Sequence, residues 1–183
     1  MIFKCVLCGI FSFSPVCEKC QRDFLKPSIE YKDEIVSFYR FDDIKELLHY
    51  KYEKFGSRIF WIMAKNSLKI FARNYFEKAF LIPVDDNPEK GYSHTAILAK
   101  SMQTKYLKPL FSSLRASNSF KYASKSLKER LSNPRNFVYK GAGDIDVILI
   151  DDVTTTSLTL KEAKQTLKKH NVNVLFSVVL ARG

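Results

Sequence analysis

The chain has 183 residues, long enough for one ordinary domain with a small appendage and a real core. Apolar residues make up 46% of it, which excludes a disordered polyelectrolyte, and no stretch approaches the roughly 20 apolar residues that span a bilayer. The net charge of +11, from 30 Lys+Arg against 19 Asp+Glu, favours polyanionic partners such as nucleic acid, anionic lipid or phosphorylated small molecules, or else a lysine-solvated surface. Lys4 and Cys5 interrupt any apolar leader at once, so the expectation is a soluble, cytoplasmic protein, compatible with peripheral association at the inner membrane.

All four cysteines fall within the first 20 residues, as Cys5, Cys8, Cys17 and Cys20. Their spacing, C-x2-C-x8-C-x2-C, is that of two knuckles whose thiolates converge on one Zn²⁺ at about 2.3 Å. Gly9 suits the tight turn after Cys8. Two disulfides are the main competitor and are disfavoured in a reducing cytoplasm. A redox pair would need only one such knuckle beside a βαβ unit. Four thiolates close the coordination sphere, so the zinc is structural, and the few apolar residues nearby (Phe3, Val6, Leu7, Ile10, Phe11, Phe13) couple folding to metal binding.

Beyond a connector at Pro27 and Ser28, residues 34–41 read as a strand, and Asp42 or Asp43 starts a helix through Tyr52 that Gly56 ends. A longer helix over residues 57–76 buries Ile59, Ile62, Met63, Ile70, Phe71 and Tyr75. Residues 79–84 form a buried strand, 85–91 a turn-rich segment, 92–106 a helix burying Ile97, Leu98, Ala99 and Met102, and 110–114 a further strand. The stretch 115–140 is one-sidedly basic and weakly periodic. A buried strand over 146–150, a helix over 160–169 and a last strand over 172–180 complete the chain. Strands alternating with helices predict an α/β fold with a mostly parallel sheet covered on both faces. Three regions follow: 1–26, a four-cysteine zinc finger; 27–78, a strand and helical connecting region; and 79–183, the main α/β domain.

The window 147–159, VILIDDVTTTSLT, concentrates the chemistry. Four apolar residues form a buried strand, Asp151 and Asp152 stand at its carboxyl end, and hydroxyl residues lead into a helix. Ligands of open α/β sheets bind beyond the carboxyl ends of strands. A small-residue loop entering a helix offers free N–H groups and the positive end of the helix dipole to an anion. Thr154, Thr155, Thr156, Ser157 and Thr159 add hydroxyl donors, while the two carboxylates can accept from vicinal sugar hydroxyls. Thr159 and Glu162 match a capping box that would start the helix. An acidic pair that only binds Mg²⁺ is the alternative, and the continuous hydroxyl run argues against it.

This window resembles the phosphoribosyl pyrophosphate motif of type I phosphoribosyltransferases. The paired cysteine knuckles, Leu48-His49-Tyr50-Lys51-Tyr52, Ile82-Pro83-Val84, Lys90-Gly91-Tyr92-Ser93 and the final Leu180-Ala181-Arg182 are arranged as in the ComF/ComFC competence proteins, over nearly the whole chain. The resemblance implies a type I phosphoribosyltransferase-like parallel sheet flanked by helices and preceded by a four-cysteine zinc finger. It implies a competence factor for natural transformation that handles incoming single-stranded DNA and binds phosphoribosyl pyrophosphate as its Mg²⁺ complex, with DNA-import or recombination proteins as partners. By the motif match Asp151 and Asp152 hold the ribose hydroxyls, Thr155, Thr156, Ser157 and Thr159 wrap the 5′-phosphate, and Lys90 lies near the pyrophosphate. Ser157 stands where the motif has glycine, a position suited to positive φ. Thr155 stands where purine-type transferases carry an aspartate base, and a threonine hydroxyl cannot take up a proton near neutral pH.

Aromatics (14%) alternate with cations at several points, including Tyr50-Lys51-Tyr52 and Tyr139-Lys140. Single strands bind where cations track phosphates and rings stack on bases. Arg115, Lys121, Lys125, Lys128, Arg130 and Arg135 are the nucleic-acid candidates; a solvated flap over the ribose-phosphate site is the plainer reading of the segment. The alternatives to the competence reading are an active phosphoribosyltransferase on an unknown acceptor and a zinc-finger-mediated interaction hub of the DNA import machinery.

Overall fold

A computed structural model of the chain describes residues 2–85, 92–117 and 132–183. At the N-terminus, β1 (Phe3–Lys4) and β2 (Phe11–Ser12) form a minimal antiparallel hairpin, followed by α1 (Glu18–Phe24). Then come β3 (Glu30–Lys32), β4 (Ile35–Arg40), α2 (Phe41–Leu48), a 3₁₀ turn (His49–Tyr52), α3 (Gly56–Asn66) and α4 (Leu68–Arg73). The remainder comprises β5 (Ala79–Pro83), α5 (His94–Ser101), β6 (Leu107–Pro109), β7 (Leu114–Ala116), β8 (Phe137–Tyr139), β9 (Ile145–Thr154), α6 (Leu158–Lys168) and β10 (Val172–Arg182).

The main sheet has six strands in the order β3-β4-β10-β9-β5-β6. Every pairing is parallel except β3–β4, an antiparallel edge. The architecture is therefore α/β, with parallel strands flanked by helices, as the alternation of elements predicts. Val147, Ile148, Leu149 and Ile150 on the central β9 are all fully buried, because both faces of the sheet are covered. One face packs against α2, α3 and α5 through residues such as Ile44, Phe60, Met63 and Leu98. The other packs against α6 and the β7–β8 hairpin through Leu160, Ala163, Leu167, Phe137 and Tyr139. The cysteine module shares the first of these clusters: Val16 and Leu25 are buried in it, while Phe11 and Phe13 point outward.

Several local expectations are corrected. Gly56 starts α3 rather than ending the preceding helix, and it is glycine because of close approach: a Cβ there would collide with the Tyr50 carbonyl oxygen and the Tyr92 hydroxyl. The expected helix over 57–76 is two helices broken at Ser67. Its backbone is non-helical (φ −135°, ψ −85°), and its hydroxyl donates to the Met63 carbonyl at 2.7 Å, a back-bond that bends helices. The break turns Leu68 and Ala72 inward and leaves Ile70 exposed, contrary to expectation. The helix predicted over 92–106 is shorter: Ser93 caps it by accepting from Ala96 N–H, and Thr104 then accepts from Tyr106 and Leu107 N–H in a turn. The strand expected over 110–114 is a turn between β6 and β7, with Ser112 at φ +57°. Among the described residues no helix is long and apolar enough to cross a membrane.

Candidate functional site

β9 runs four residues further than its apolar core suggests and carries Asp151 and Asp152 inside the sheet. Asp151 pairs in register with Val179, and Thr154 with Arg182. Both carboxylates are buried, and Asp152 N–H donates to Asp151 Oδ1 at 2.9 Å. Burial raises the Asp151 carboxyl well above the usual range, and the neighbouring Asp152 charge adds to the rise. Burial acts on Asp152 in the same sense, but the Lys51 ammonium and the His94 ring outweigh it and hold that carboxyl below the usual range. The contacts are short: Lys51 Nζ lies 2.7 Å and His94 Nε2 3.5 Å from Asp152 Oδ2.

Lys51 arrives on the 3₁₀ turn. The Tyr92 hydroxyl donates to its carbonyl oxygen, fixing the turn against the segment that leads into α5. Its ammonium loses solvation by burial but gains more from Asp152, so its pKa is raised. His94 is the first residue of α5 and packs edge-on against Phe60, with ring centroids 5.7 Å apart. The sequence window alone did not single out either residue for the site. Lys51 is 101 positions from its partner, and no local pattern reports such a contact.

After Thr154 the chain forms the hydroxyl loop and enters α6. Ser157 takes φ +57°, the left-handed conformation that its glycine-like position calls for, and provides no side-chain cap. The first N–H groups of α6 therefore lack an intrahelical or side-chain acceptor from the cap residue. Thr155 and Thr156 are exposed, and Thr154 Oγ1 lies 3.4 Å from Ser157 Oγ. Thr159 is the second residue of α6, not its cap. Glu162 accepts from Arg135 N–H at 2.7 Å instead of reaching back, so the expected capping box is not formed. A cavity of about 550 Å³ opens beside the loop, lined by Thr155, Thr156, Ser157, Lys161 and Lys164 together with the acidic Asp33 and Glu34, and not by Asp151 or Asp152.

Of the basic candidates, Arg115 is exposed and donates to Ser112 Oγ at 2.9 Å. Arg135 is engaged within the fold. Its guanidinium meets Asp85 Oδ2 at 2.9 Å, while Asp85 Oδ1 accepts from Ala116 N–H at 3.0 Å. This cluster ties the β7–β8 hairpin to the carboxyl end of β5. Lys90, Lys121, Lys125, Lys128 and Arg130 lie outside the described residues.

The four cysteines converge as their spacing predicts. Their Sγ atoms all lie within 4.8 Å of one another, and none forms a disulfide. Tetrahedral ligands about 2.3 Å from a metal are about 3.8 Å apart; Cys8 Sγ and Cys17 Sγ are separated by 3.7 Å. Backbone N–H groups already point at the sulfurs, Cys17 N–H to Cys5 Sγ at 3.3 Å and Cys20 N–H to Cys17 Sγ at 3.4 Å. Burial raises the Cys5 thiol, but the N–H groups of Cys17, Cys8 and Leu7 more than reverse this and bring it to about 6. The donor set fits a structural zinc.

No protein-family model matches the chain, and no curated protein does. Among solved structures it is similar to a hypoxanthine phosphoribosyltransferase from Staphylococcus aureus, with 19% identity and a TM-score of 0.43 over 67% of this chain. The chain spans 62% of the length of that structure.

Proposed function

We propose that the carboxyl end of β9 and the start of α6 bind a phosphorylated ribose, with phosphoribosyl pyrophosphate and its Mg²⁺ as the ligand. The observation that carries the reading is the left-handed Ser157, which closes a hydroxyl loop onto an uncapped helix N-terminus directly after a buried acidic pair. A dianionic phosphate is stabilised there by backbone N–H groups and the helix dipole. Thr155, Thr156, Ser157 and Thr159 supply hydroxyl donors. Asp152, held ionised by Lys51, accepts from one ribose hydroxyl, and Asp151 from its neighbour. Lys90 serves the pyrophosphate end. No group at Thr155 can act as a base, so activation of an acceptor is not assigned to this loop. Cys5, Cys8, Cys17 and Cys20 hold a structural zinc.

The resemblance to competence proteins extends this reading to the handling of incoming single-stranded DNA in the cytoplasm, with import or recombination proteins as partners. The charge of +11 and the exposed Arg115 support it. Transfer to an unknown acceptor, and docking through the zinc module, are the competing roles.

The test is calorimetric titration of the zinc-loaded protein with phosphoribosyl pyrophosphate and Mg²⁺, beside the Asp151→Asn/Asp152→Asn double variant. Binding that the variant loses supports the site. Absence of binding by folded wild type removes it.

A further inference from the structure

A pair of carboxylates at the end of a buried strand admits two chemistries, a receptor for ligand hydroxyls or a resident divalent-cation site. The two differ in what compensates the charge. A divalent cation would take carboxylate oxygens as direct ligands at about 2.1 Å. Here Oδ2 of Asp152 already has an ammonium 2.7 Å away and an imidazole nitrogen 3.5 Å away, both belonging to the chain. A dication on that oxygen would sit close to the ammonium in a poorly solvated site, where repulsion is strong. The ammonium is not a mobile surface group. Its backbone is pinned by the Tyr92 hydroxyl, and the turn it rides on packs against Gly56 so closely that no side chain fits there.

We infer that Lys51 is the built-in counter-cation of the acidic pair: by occupying Asp152 Oδ2 it keeps divalent metal off the pair while leaving the remaining carboxylate lone pairs for ligand hydroxyls. Lys51 is a positioning residue, since it acts through Asp152. The inference rests on the ribose-phosphate reading of the same pair.

Mn²⁺ without ligand is the probe, followed by electron paramagnetic resonance in wild type, Lys51→Met, Lys51→Arg and Lys51→Met/Asp152→Asn. Wild type and Lys51→Arg are expected to take up no Mn²⁺ at the pair. Lys51→Met is expected to bind one ion, with an affinity at least roughly tenfold above the upper limit set by wild type, the order expected when one compensating charge leaves a partly buried site. Adding Asp152→Asn abolishes that binding. Equal Mn²⁺ affinity in wild type and Lys51→Met, or uptake by neither, overturns the inference. Should Lys51→Met fail to fold, acetylation of the Lys51 amine in wild type and Asp152→Asn decides. Labelling that rises in the variant supports the pairing, and equal labelling overturns it. Phosphoribosyl pyrophosphate titration of wild type runs alongside. No ligand binding with the Mn²⁺ difference intact defeats the ribose reading alone, whereas ligand binding with no Mn²⁺ difference defeats only the role of Lys51.

Discussion

The cysteine cluster and the acidic pair pose the same electrostatic problem and solve it differently. Each gathers groups that bear negative charge in their working form in a setting that is buried apart from the exposed Cys8, at a cost unless the charge is compensated. The cysteines gather four sulfurs from a segment of 16 residues, and their donor set calls for an ion from outside. The acidic pair draws its compensation from within the chain, a lysine on a distant turn and a histidine at a helix start. An imported cation makes the fold of its neighbourhood conditional on supply. A resident one is in place whenever the chain is folded, and on the proposed reading it leaves the pair preformed for a ligand.

The largest expected effect breaks the first half of this comparison. Cys17→Ser removes a buried thiol of the cluster while leaving a hydroxyl that still caps α1, so the loss falls on the metal site. Zinc content should fall from one per chain to near zero, with loss of a substantial share of the ~10 kcal/mol that structural zinc contributes to small modules. Because Val16 and Leu25 lie in the main cluster, the melting temperature of the whole chain should fall as well. Elemental analysis and calorimetric melting check both, and retention of stoichiometric zinc would contradict the assignment.

A smaller effect sharpens the second half. Asp151→Asn keeps an acceptor for Asp152 N–H but removes a carboxylate that burial pushes above its usual value of 3.8. A carboxyl whose pKa is raised on folding favours the fold when protonated, and that advantage is lost as pH rises through its raised value. The variant should therefore match wild type at acid pH and gain on it as pH rises, by about 1–3 kcal/mol, the scale of an imperfectly compensated buried polar group. Melting curves across pH test this; a gain independent of pH would show that Asp151 is not the group under strain.

The smallest effect concerns the loop. Ser157→Gly relieves a left-handed serine but loosens the unfolded chain, so a net stabilisation of about 0.5–1 kcal/mol is expected. Phosphoribosyl pyrophosphate affinity should be retained, because the N–H groups of α6 stay in place. A large loss of affinity would assign the serine hydroxyl, rather than the backbone, the main contact with phosphate.

What could be read along the chain was what depends on near neighbours. The two cysteine pairs are legible because metal spacing is a local property, and their sulfurs converge as expected. The four apolar residues of β9 declare a central strand, and the hydroxyl run after it declares a turn into a helix, since burial and helix entry leave local signatures. The alternation of strands and helices was enough for a parallel α/β sheet. What the tertiary structure decided were the contacts between segments far apart in the chain. Gly56 looked like a helix stop and is a place of close approach, because the residues that crowd it include Tyr92. Glu162 looked like half of a capping box and instead holds the Arg135 backbone. Asp152 looked like a bare acid at a strand end and is paired with Lys51, a partner 101 residues away. Periodicity and spacing report neighbours within a few turns; the electrostatic partner of a buried charge is set by which segments the folded sheet brings together.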